Sequence, residues 1–309
     1  MAPLHLTLRQ LQVFTAEAQG GSTAAARAAI GLSQSATSAA LKELERMLGA
    51  PLFDRVGKRL QLNSSGRALL PHAQSLLDGA ASLQRAALGD QDSPGALRIG
   101  ASTTIGNYVL PRWLSLHWAP WYAAQPPEWH AEVKIGNTAE ICRAVADFSL
   151  DVGLIEGPCH DPLLQARPWL RDELLIVASP RLARQLQPPA GAAPAVPVGV
   201  LRQQVWLLRE AGSGTRVGTD HELLPHLRAC RRSIELGNSE AIKHAAAEGL
   251  GLACLSEWVV TDLIKSGRLT RLATTLPRML RPCYLVLHRH KQLTGALERL
   301  TASLMKSAA

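Results

Sequence analysis

The sequence predicts an α/β protein in two parts, a helical N-terminal part and a larger C-terminal part that alternates strands and helices. In the first part, apolar residues recur at three- and four-residue steps through residues 7–88. In the second, short apolar runs such as LRIGAS, AEVKIGN and DVGLIEG alternate with helical segments, which indicates a parallel sheet with crossover helices. Turn-forming residues at 89–95 separate the two parts, and we predict a hinge there.

The segment SQSATSAALKELERMLG, residues 33–49, is predicted to form a helix with two chemically different faces. Ser33 is a favourable N-cap and Gly49 a favourable stop. One face is apolar and would be buried: Ala36, Ala40, Leu41, Leu44 and Leu48. The other carries short hydrogen-bonding side chains and one lysine: Gln34, Ser35, Thr37, Ser38 and Lys42. Such a face fits the insertion of a helix N-terminus into the major groove of DNA.

Two shorter helices, at residues 7–18 and 22–30, precede this segment and complete a helix-turn-helix. After it, basic residues crowd a glycine-centred turn between two extended runs, as in a β-wing that contacts phosphate. Residues 1–64 are therefore predicted to be a winged helix-turn-helix domain that binds double-stranded DNA. The predicted DNA contacts are Ser22, Ser33, Gln34, Ser35, Thr37, Ser38, Lys42, Arg55, Lys58 and Arg59. A small helical bundle with no DNA role is the alternative.

Residues 65–88 are predicted to form one long helix that links the two parts. Its apolar positions alternate steps of four and three, and its alanines would allow a second helix to approach closely. The predicted dimerisation seam is Leu69, Ala73, Leu76, Ala80, Leu83 and Ala87. The alternative is that this helix packs against its own domain.

The C-terminal part, residues 96–309, is predicted to contain two α/β halves around a cleft. The first half covers residues 96–170 and 268–309, and the second covers residues 171–267. Further strands are predicted at ELLIVAS, VWLLRE, SIELGN, GLACLS and CYLVLHRH. Helices are predicted near residues 109–118, 141–148, 220–230, 240–248, 259–266 and 294–305.

Four of the predicted strands end in small residues with hydroxyls or amides, just before a helix. Helix N-termini of this kind present free backbone N–H groups, which favour a small anion in a crevice at the carboxyl edge of the sheet. The predicted effector contacts are Ser102, Thr103, Thr104, Asn137, Thr138, Gly212, Ser213, Gly214, Thr215 and Asn238. For any one of these turns an ordinary helix cap is an equally good interpretation. Arg216 would either add a cation to the cleft or form an ion pair on the surface.

Composition limits the other classes of function. The chain has 33 Lys+Arg and 25 Asp+Glu, a formal charge of +8 that attracts polyanions. Its five cysteines are scattered, so we expect neither a disulfide framework nor a metal site. We expect a cytoplasmic protein, because no secretion signal and no run of 18 apolar residues occurs.

The sequence also gives little support to catalysis. EAGSGT lacks the spacing of a nucleophile elbow, no phosphate-binding G-x-x-x-x-G-K-[ST] occurs, and nothing indicates a cofactor. His288 and His290 alternate on a predicted strand without other metal ligands, which is more typical of a core or surface role. An enzyme and a stand-alone binding protein stay as alternatives, although the latter leaves residues 1–64 unexplained.

Several motifs resemble those of the LysR-type transcriptional regulators, in the order and spacing of that family. They are LRQLQVF, Ser22 before an Ala-rich helix, LSQSATSAALKELE, LFDR and NSSGRALLPHA. The resemblance spans nearly the whole chain. Ala39 stands where many members have arginine, so the base contact of that arginine does not carry over.

The resemblance implies a periplasmic-binding-protein-like effector domain and a homotetramer, a dimer of dimers, that bends promoter DNA. It also implies RNA polymerase as a further partner. Within the cleft it favours as effector contacts Thr103, Thr104, Asn137, Thr215 and Asn238. The stretches IGASTTIGNYVLP and REAGSGTR are most similar to the branch of carbon-fixation and sulfur-metabolism regulators.

Overall fold

A computed structural model describes residues 6–20, 33–56, 59–87, 97–125, 129–186, 195–293 and 295–307. The N-terminal part contains the elements α1 (Leu8–Gly20), α2 (Gln34–Leu48), β1 (Phe53–Val56), β2 (Arg59–Leu62) and α3 (Ser64–Ala87). The strands β1 and β2 pair in antiparallel fashion, with Phe53 opposite Leu62, and form the predicted hairpin of the wing. The helix predicted at residues 22–30 lies outside the described residues.

Local capping sets both ends of α2. The Ser33 hydroxyl accepts a hydrogen bond from the amide of Ala36 at 3.3 Å. Gly49 adopts φ +69° and its amide bonds to the carbonyl of Arg46, so the helix ends where a residue without Cβ can turn left-handed. The predicted ends of this helix are therefore confirmed.

The helix α3 has two segments with different surroundings. Ala73, only 1% exposed, packs into the core of the N-terminal domain with Phe14 and Leu44, and Leu69 packs against the same core. The predicted dimerisation role is therefore wrong for Ala73, because α1 lies against α3 at this point. Leu69 is only partly buried, so its role stays a prediction. The rest of the seam stays a prediction, and the side chain of Ala87 lies outside the described residues.

The C-terminal part begins with β3 (Leu97–Ser102) and contains one large sheet. The other strands are β4 (Ala131–Gly136), β5 (Val152–Glu156), β6 (Leu164–Ala178), β7 (Val205–Arg209), β8 (Arg232–Leu236), β9 (Leu252–Ser256), β10 (Thr270–Arg271) and β11 (Met279–His288). Their order is β4-β3-β5-β11-β6-β9-β7-β8, with β10 beside β6. The strands β3, β4 and β5 are parallel, as are β7, β8 and β9.

The two long strands β6 and β11 make the sheet mixed, whereas the sequence indicated only a parallel sheet. They are antiparallel to each other and join the two parallel sets. Their first residues were missed because polar and proline residues interrupt the apolar pattern. Pro168 and Pro282 lie within these strands near a register shift at Cys283 and Tyr284, where a ladder can tolerate a missing donor.

Helices cover the faces of the sheet. Residues 105–122 form a continuous helical segment, α4, made of the stretches Ile105–Val109, Leu110–Trp113, Leu114–Trp118 and Ala119–Tyr122. The others are α5 (Thr138–Ala146), α6 (Pro180–Leu186), α7 (Val198–Arg202), α8 (Gly214–Glu222), α9 (Leu224–Leu227), α10 (Ser239–Ala247), α11 (Glu257–Lys265) and α12 (Gly295–Lys306). Within the described ranges, no helix combines the length and the apolar character that crossing a bilayer requires.

Charged groups connect the long helix to the C-terminal part. The Nζ atom of Lys291 lies 2.8 Å from a carboxylate oxygen of Asp78 on α3 and 3.0 Å from one of Asp151. Arg98, on the first strand of the large sheet, binds the same Asp151 carboxylate at 2.9 Å. The middle of α3 is therefore attached to the large sheet near the residues at which β3 and β5 begin.

Candidate DNA-binding face and inter-domain cleft

The first turns of α2 present part of the predicted DNA-binding face. Ser35, Ser38 and Lys42 are exposed, and no other described element covers them. The hydroxyl of Ser33 caps the helix and also lies 3.0 Å from that of Ser35. These side chains are therefore exposed at the start of α2, where a DNA-recognition surface needs them.

Thr37 does not belong to this face. Its side chain is only 3% exposed, and its hydroxyl donates to the carbonyl of Ser33 at 3.1 Å. The predicted DNA contact of Thr37 is wrong, because a threonine in a helix can satisfy its hydroxyl on the preceding turn and turn its methyl group inward. The side chains of Gln34, Arg55 and Arg59 lie outside the described residues, as do Ser22 and Lys58.

Three of the four predicted cleft turns act as helix caps. The Asn137 side chain accepts a hydrogen bond from the amide of Glu140 at 2.9 Å and caps α5. The Glu140 carboxylate in turn accepts one from the amide of Asn137, which completes a capping box. Ser213 accepts from the amide of Arg216 and begins α8, and Asn238 accepts from that of Ala241 and begins α10. The side chain of Asn238 is exposed, and its described contacts stay within its own helix.

The turns after β4 and β7 meet directly, so the two halves of the sheet touch at the cleft. The amide of Ala139 donates to the carbonyl of Gly212 at 3.0 Å, and the Asn137 side chain reaches Glu210 at 3.4 Å. A Cβ at Gly214 would lie 2.2 Å from the carbonyl oxygen of Glu156. Glycine is therefore required at position 214 in this closed arrangement.

A buried ion pair lies beneath this contact and was not predicted from the sequence. The Arg281 side chain, 2% exposed, binds Asp172, which is fully buried, with Nε at 2.8 Å from Oδ2. Ser256 donates to the other carboxylate oxygen at 2.8 Å, and Arg281 Nη1 donates to the hydroxyl of Thr215 at 3.1 Å. Thr215 therefore joins the cleft wall to a charged pair in the two long strands.

The pKa values of Arg281 and Asp172 depend on each other's charge and on burial. Although burial opposes the charged form, the carboxylates of Asp172 and Glu156 raise the pKa of Arg281, which stays a cation. Burial raises the pKa of Asp172 against the opposing attraction of Arg281. A charged residue at an inward position of a strand is a recognisable sequence signal. It was missed here because the predicted strands began after Asp172 and Arg281.

Two buried donors in this region lack a hydrogen-bond partner among the described residues. They are the hydroxyl of Thr104, which is 1% exposed, and Nη2 of Arg281, which lies 2.7 Å from Asp172 without hydrogen-bond geometry. The amide of Ile105, next to Thr104, donates to the Glu156 carboxylate at 3.2 Å, and Glu156 also acts electrostatically on Arg281. The carboxylate of Glu156 therefore interacts both with the turn next to Thr104 and with Arg281.

The other predicted hydroxyls of the cleft are already bonded. Ser102 donates to the carbonyl of Leu154 at 3.2 Å, Thr103 to that of Gly136 at 3.1 Å, and Thr138 to that of Glu156 at 3.1 Å. The guanidinium of Arg216 pairs with Asp220 and Glu235, so the surface-pair interpretation of Arg216 is the one the structure shows.

A second buried cation connects the two halves. Lys243 on α10 is 3% exposed and lies 3.2 Å from the hydroxyl of Tyr108 in α4. It also contacts Asp262 at 3.1 Å and Glu240 at 3.0 Å. Sequence reasoning missed Lys243, because a single lysine within a helical pattern usually lies on the solvent face.

Comparison with known proteins assigns both parts of the chain. The family model described as a bacterial regulatory helix-turn-helix protein of the lysR family matches residues 8–67, and the LysR substrate binding domain matches residues 90–309. The chain belongs to the LysR family of bacterial transcriptional regulators. It is thus a DNA-binding transcriptional regulator with an effector-binding domain, as the sequence predicted.

Relatives within the LysR family align over almost the full length. The uncharacterised HTH-type transcriptional regulator YeiE of Escherichia coli K12 is 45% identical over 296 residues, which cover 96% of each chain. The HTH-type transcriptional regulator CbbR of Rhodospirillum rubrum is 31% identical and covers 99% of this chain and 98% of its own.

Solved structures show the same fold. ArgP from Mycobacterium tuberculosis superposes with a TM-score of 0.75 at 20% identity, covering 99% of this chain and 98% of its own. The regulatory domain of CcmR from Synechocystis PCC6803, in complex with 2-PG, gives a TM-score of 0.57 at 27% identity and covers 69% of this chain and 97% of its own.

Proposed function

We propose that the domain of residues 1–64 binds promoter DNA through α2 and the wing, and that a small anionic metabolite in the cleft of residues 96–309 controls this binding. The active form is an oligomer joined along the exposed part of α3, a dimer or a tetramer of two dimers. RNA polymerase is a further partner, and the protein acts in the cytoplasm, where promoter DNA lies. The relatives are transcriptional regulators, which supports binding rather than catalysis.

The buried hydroxyl of Thr104, which has no hydrogen-bond partner among the described residues, carries the proposal of a ligand in the cleft. A buried donor without an acceptor costs about 1–3 kcal/mol, so such groups usually have a partner in the functional state. A ligand with an acceptor oxygen at this position would satisfy the Thr104 hydroxyl. The complex of the CcmR regulatory domain with 2-PG supports a small-molecule site on this fold.

The surroundings of this hydroxyl narrow the ligand class. The N-termini of α5 and α8 meet at the cleft, and the positive ends of their helix dipoles favour negative charge there. The carboxylate of Glu156 is also buried there, so it opposes a ligand that carries only negative charge. A small acid that also offers a hydroxyl or an acidic proton would bind Arg281 and Glu156 together.

A thermal-shift screen of inorganic oxyanions and small organic acids identifies the ligand. A compound at roughly 100 times its dissociation constant should stabilise the protein by about 2.7 kcal/mol. Hydroxylated or protonated acids are expected to give larger shifts than fully ionised ones of equal size.

Thr104→Val tests the site once a ligand is known. The change replaces an unpartnered hydroxyl by a methyl group of the same shape, so the unliganded protein should be as stable as the wild type or more stable. Loss of a hydrogen bond to a charged ligand, worth about 1.5–3 kcal/mol, should lower affinity in calorimetry by about tenfold to a hundredfold.

Thr301→Val is the matched control, because Thr301 is equally buried in α12 but its hydroxyl donates to the carbonyl of Glu298. It should keep wild-type affinity and lose stability. Wild-type affinity in Thr104→Val would remove Thr104 from the ligand site.

Two variants of α2 separate base reading from phosphate contact. Gln34→Ala is expected to cost about 1–3 kcal/mol on a DNA site selected from random sequences and to leave binding to random DNA nearly unchanged. Lys42→Ala should weaken both and reduce the salt slope by roughly one unit. Arg46→Ala, at the other end of the helix, is the control, since that side chain is 71% exposed and pairs with Glu43. Equal losses of Gln34→Ala on both DNAs would contradict its assignment to base reading.

A further inference from the structure

Two of the five cysteines stand next to each other in the first half of the sheet. Cys142 lies on α5 and Cys159 in the segment after β5, and their sulfur atoms are 3.5 Å apart. A disulfide bond is about 2.05 Å long, so a shift of about 1.5 Å would join them. Cys142 is buried and Cys159 is partly exposed, which gives a reagent from solvent access to one sulfur only.

The surroundings favour the thiolate at Cys159. The hydrogen bond from the Cys142 thiol lowers the pKa of Cys159 to about 6, and the amide of Asp161 and the imidazole of His160 act in the same direction against burial and the Asp161 carboxylate. The same bond and burial raise the pKa of Cys142. The contact with Cys142 therefore favours the thiolate form of Cys159 and leaves a proton-bearing partner at contact distance.

The remaining three thiols have the opposite character. Burial raises the pKa of Cys254 to about 12, and it also raises the pKa values of Cys230 and Cys283. Because the thiolate is the nucleophile, these cysteines should react slowly at neutral pH. Geometry and charge thus distinguish one pair from the rest.

We propose that Cys142 and Cys159 are a redox-reactive pair that a hydroperoxide converts to an intramolecular disulfide. The Cys159 thiolate attacks one peroxide oxygen, the O–O bond breaks, and the leaving oxygen takes a proton to become water or an alcohol. The sulfur is oxidised by two electrons to the sulfenic acid. The Cys142 sulfur then attacks Cys159, the S–S bond forms, the S–O bond breaks, and the Cys142 proton leaves with the hydroxide as water.

The oxidation state of this cysteine pair can affect the cleft, because both cysteines lie close in sequence to cleft residues. Cys142 lies one helical turn beyond Thr138, whose hydroxyl bonds to the carbonyl of Glu156, and Cys159 follows Glu156 by three residues. Closing the disulfide would draw α5 towards the segment after β5. The oxidation itself is independent of the proposed effector, so it can fail or succeed separately from that proposal.

The test treats the reduced full-length protein with a small excess of hydrogen peroxide at pH 7, blocks free thiols, and maps peptides by mass spectrometry without reduction. The expected product contains a Cys142–Cys159 cross-link, with Cys230, Cys254 and Cys283 alkylated. Cys159→Ser should consume peroxide at least about tenfold more slowly, since it removes the thiolate. Cys142→Ser should stop at the sulfenic acid of Cys159, which dimedone traps.

Cys230→Ser is the matched control and should react at the wild-type rate, because Cys230 is also only partly buried. Tryptophan fluorescence of each variant checks the fold. Peroxide oxidation of Cys230 as fast as that of Cys159, or full oxidation without the cross-linked peptide, would overturn the proposal, and the mapping of the wild type decides this without any variant.

Discussion

Arg281→Met is expected to lower the free energy of unfolding of the effector domain by about 3–5 kcal/mol. The change leaves the fully buried carboxylate of Asp172 with Ser256 as its remaining bonded partner, and breaking a buried ion pair by removing one member has this cost. Urea unfolding followed by tryptophan fluorescence measures it. All seven tryptophans lie between residues 113 and 258, so the signal reports on this domain alone.

The loss of stability in Arg281→Met should depend on pH in a defined direction. Burial raises the folded-state pKa of Asp172 above its unfolded value, and loss of Arg281 removes the attraction that opposes this rise. The folded state then binds more protons than the unfolded state, so stability falls as the pH rises through this range and recovers as the pH is lowered. The difference between variant and wild type should therefore shrink in acid.

Two further variants make the test specific. Arg278→Met removes a guanidinium that is 71% exposed and pairs with Glu173, so it should change stability by less than about 1 kcal/mol. Arg281→Met combined with Asp172→Asn removes both charges and should recover most of the loss. If Arg281→Met were as stable as Arg278→Met, the buried pair would contribute nothing to the fold.

Leu76→Asp, alone or with Leu83→Asp, is expected to dissociate the oligomer and abolish tight DNA binding while each chain stays folded. The two leucines are 57% and 74% exposed in the single chain, so aspartate costs the isolated fold little. In a paired helix the same carboxylate would be buried without a partner, which costs several kcal/mol. Sedimentation velocity at micromolar concentration measures the change.

Leu76→Met is the control for this surface, because it conserves volume and apolar character and should keep the oligomer. An unchanged oligomer in Leu76→Asp, with intact DNA affinity, would mean that the exposed part of α3 is not the interface.

The sequence by itself determined those features that depend only on neighbouring residues in the chain. Ser33 and Gly49 fixed the ends of α2, because a cap and a left-handed residue act within one helical turn. Hydroxyl and amide residues after the strands indicated possible caps, but the helices predicted near residues 141–148 and 220–230 begin three and six residues after the observed starts of α5 and α8. The family motifs added the domain order, which the comparisons confirm.

Only the tertiary structure decided which of these residues face a partner and which face the core. Ala73 turned out to pack against its own domain, and Thr37 satisfied its hydroxyl on the preceding turn. Arg281 and Asp172 are 109 residues apart in the chain, and Cys142 and Cys159 belong to different elements. Periodicity reports the environment of a residue only relative to its own helix or strand. Contacts between distant elements depend on strand order and register, which no local pattern specifies.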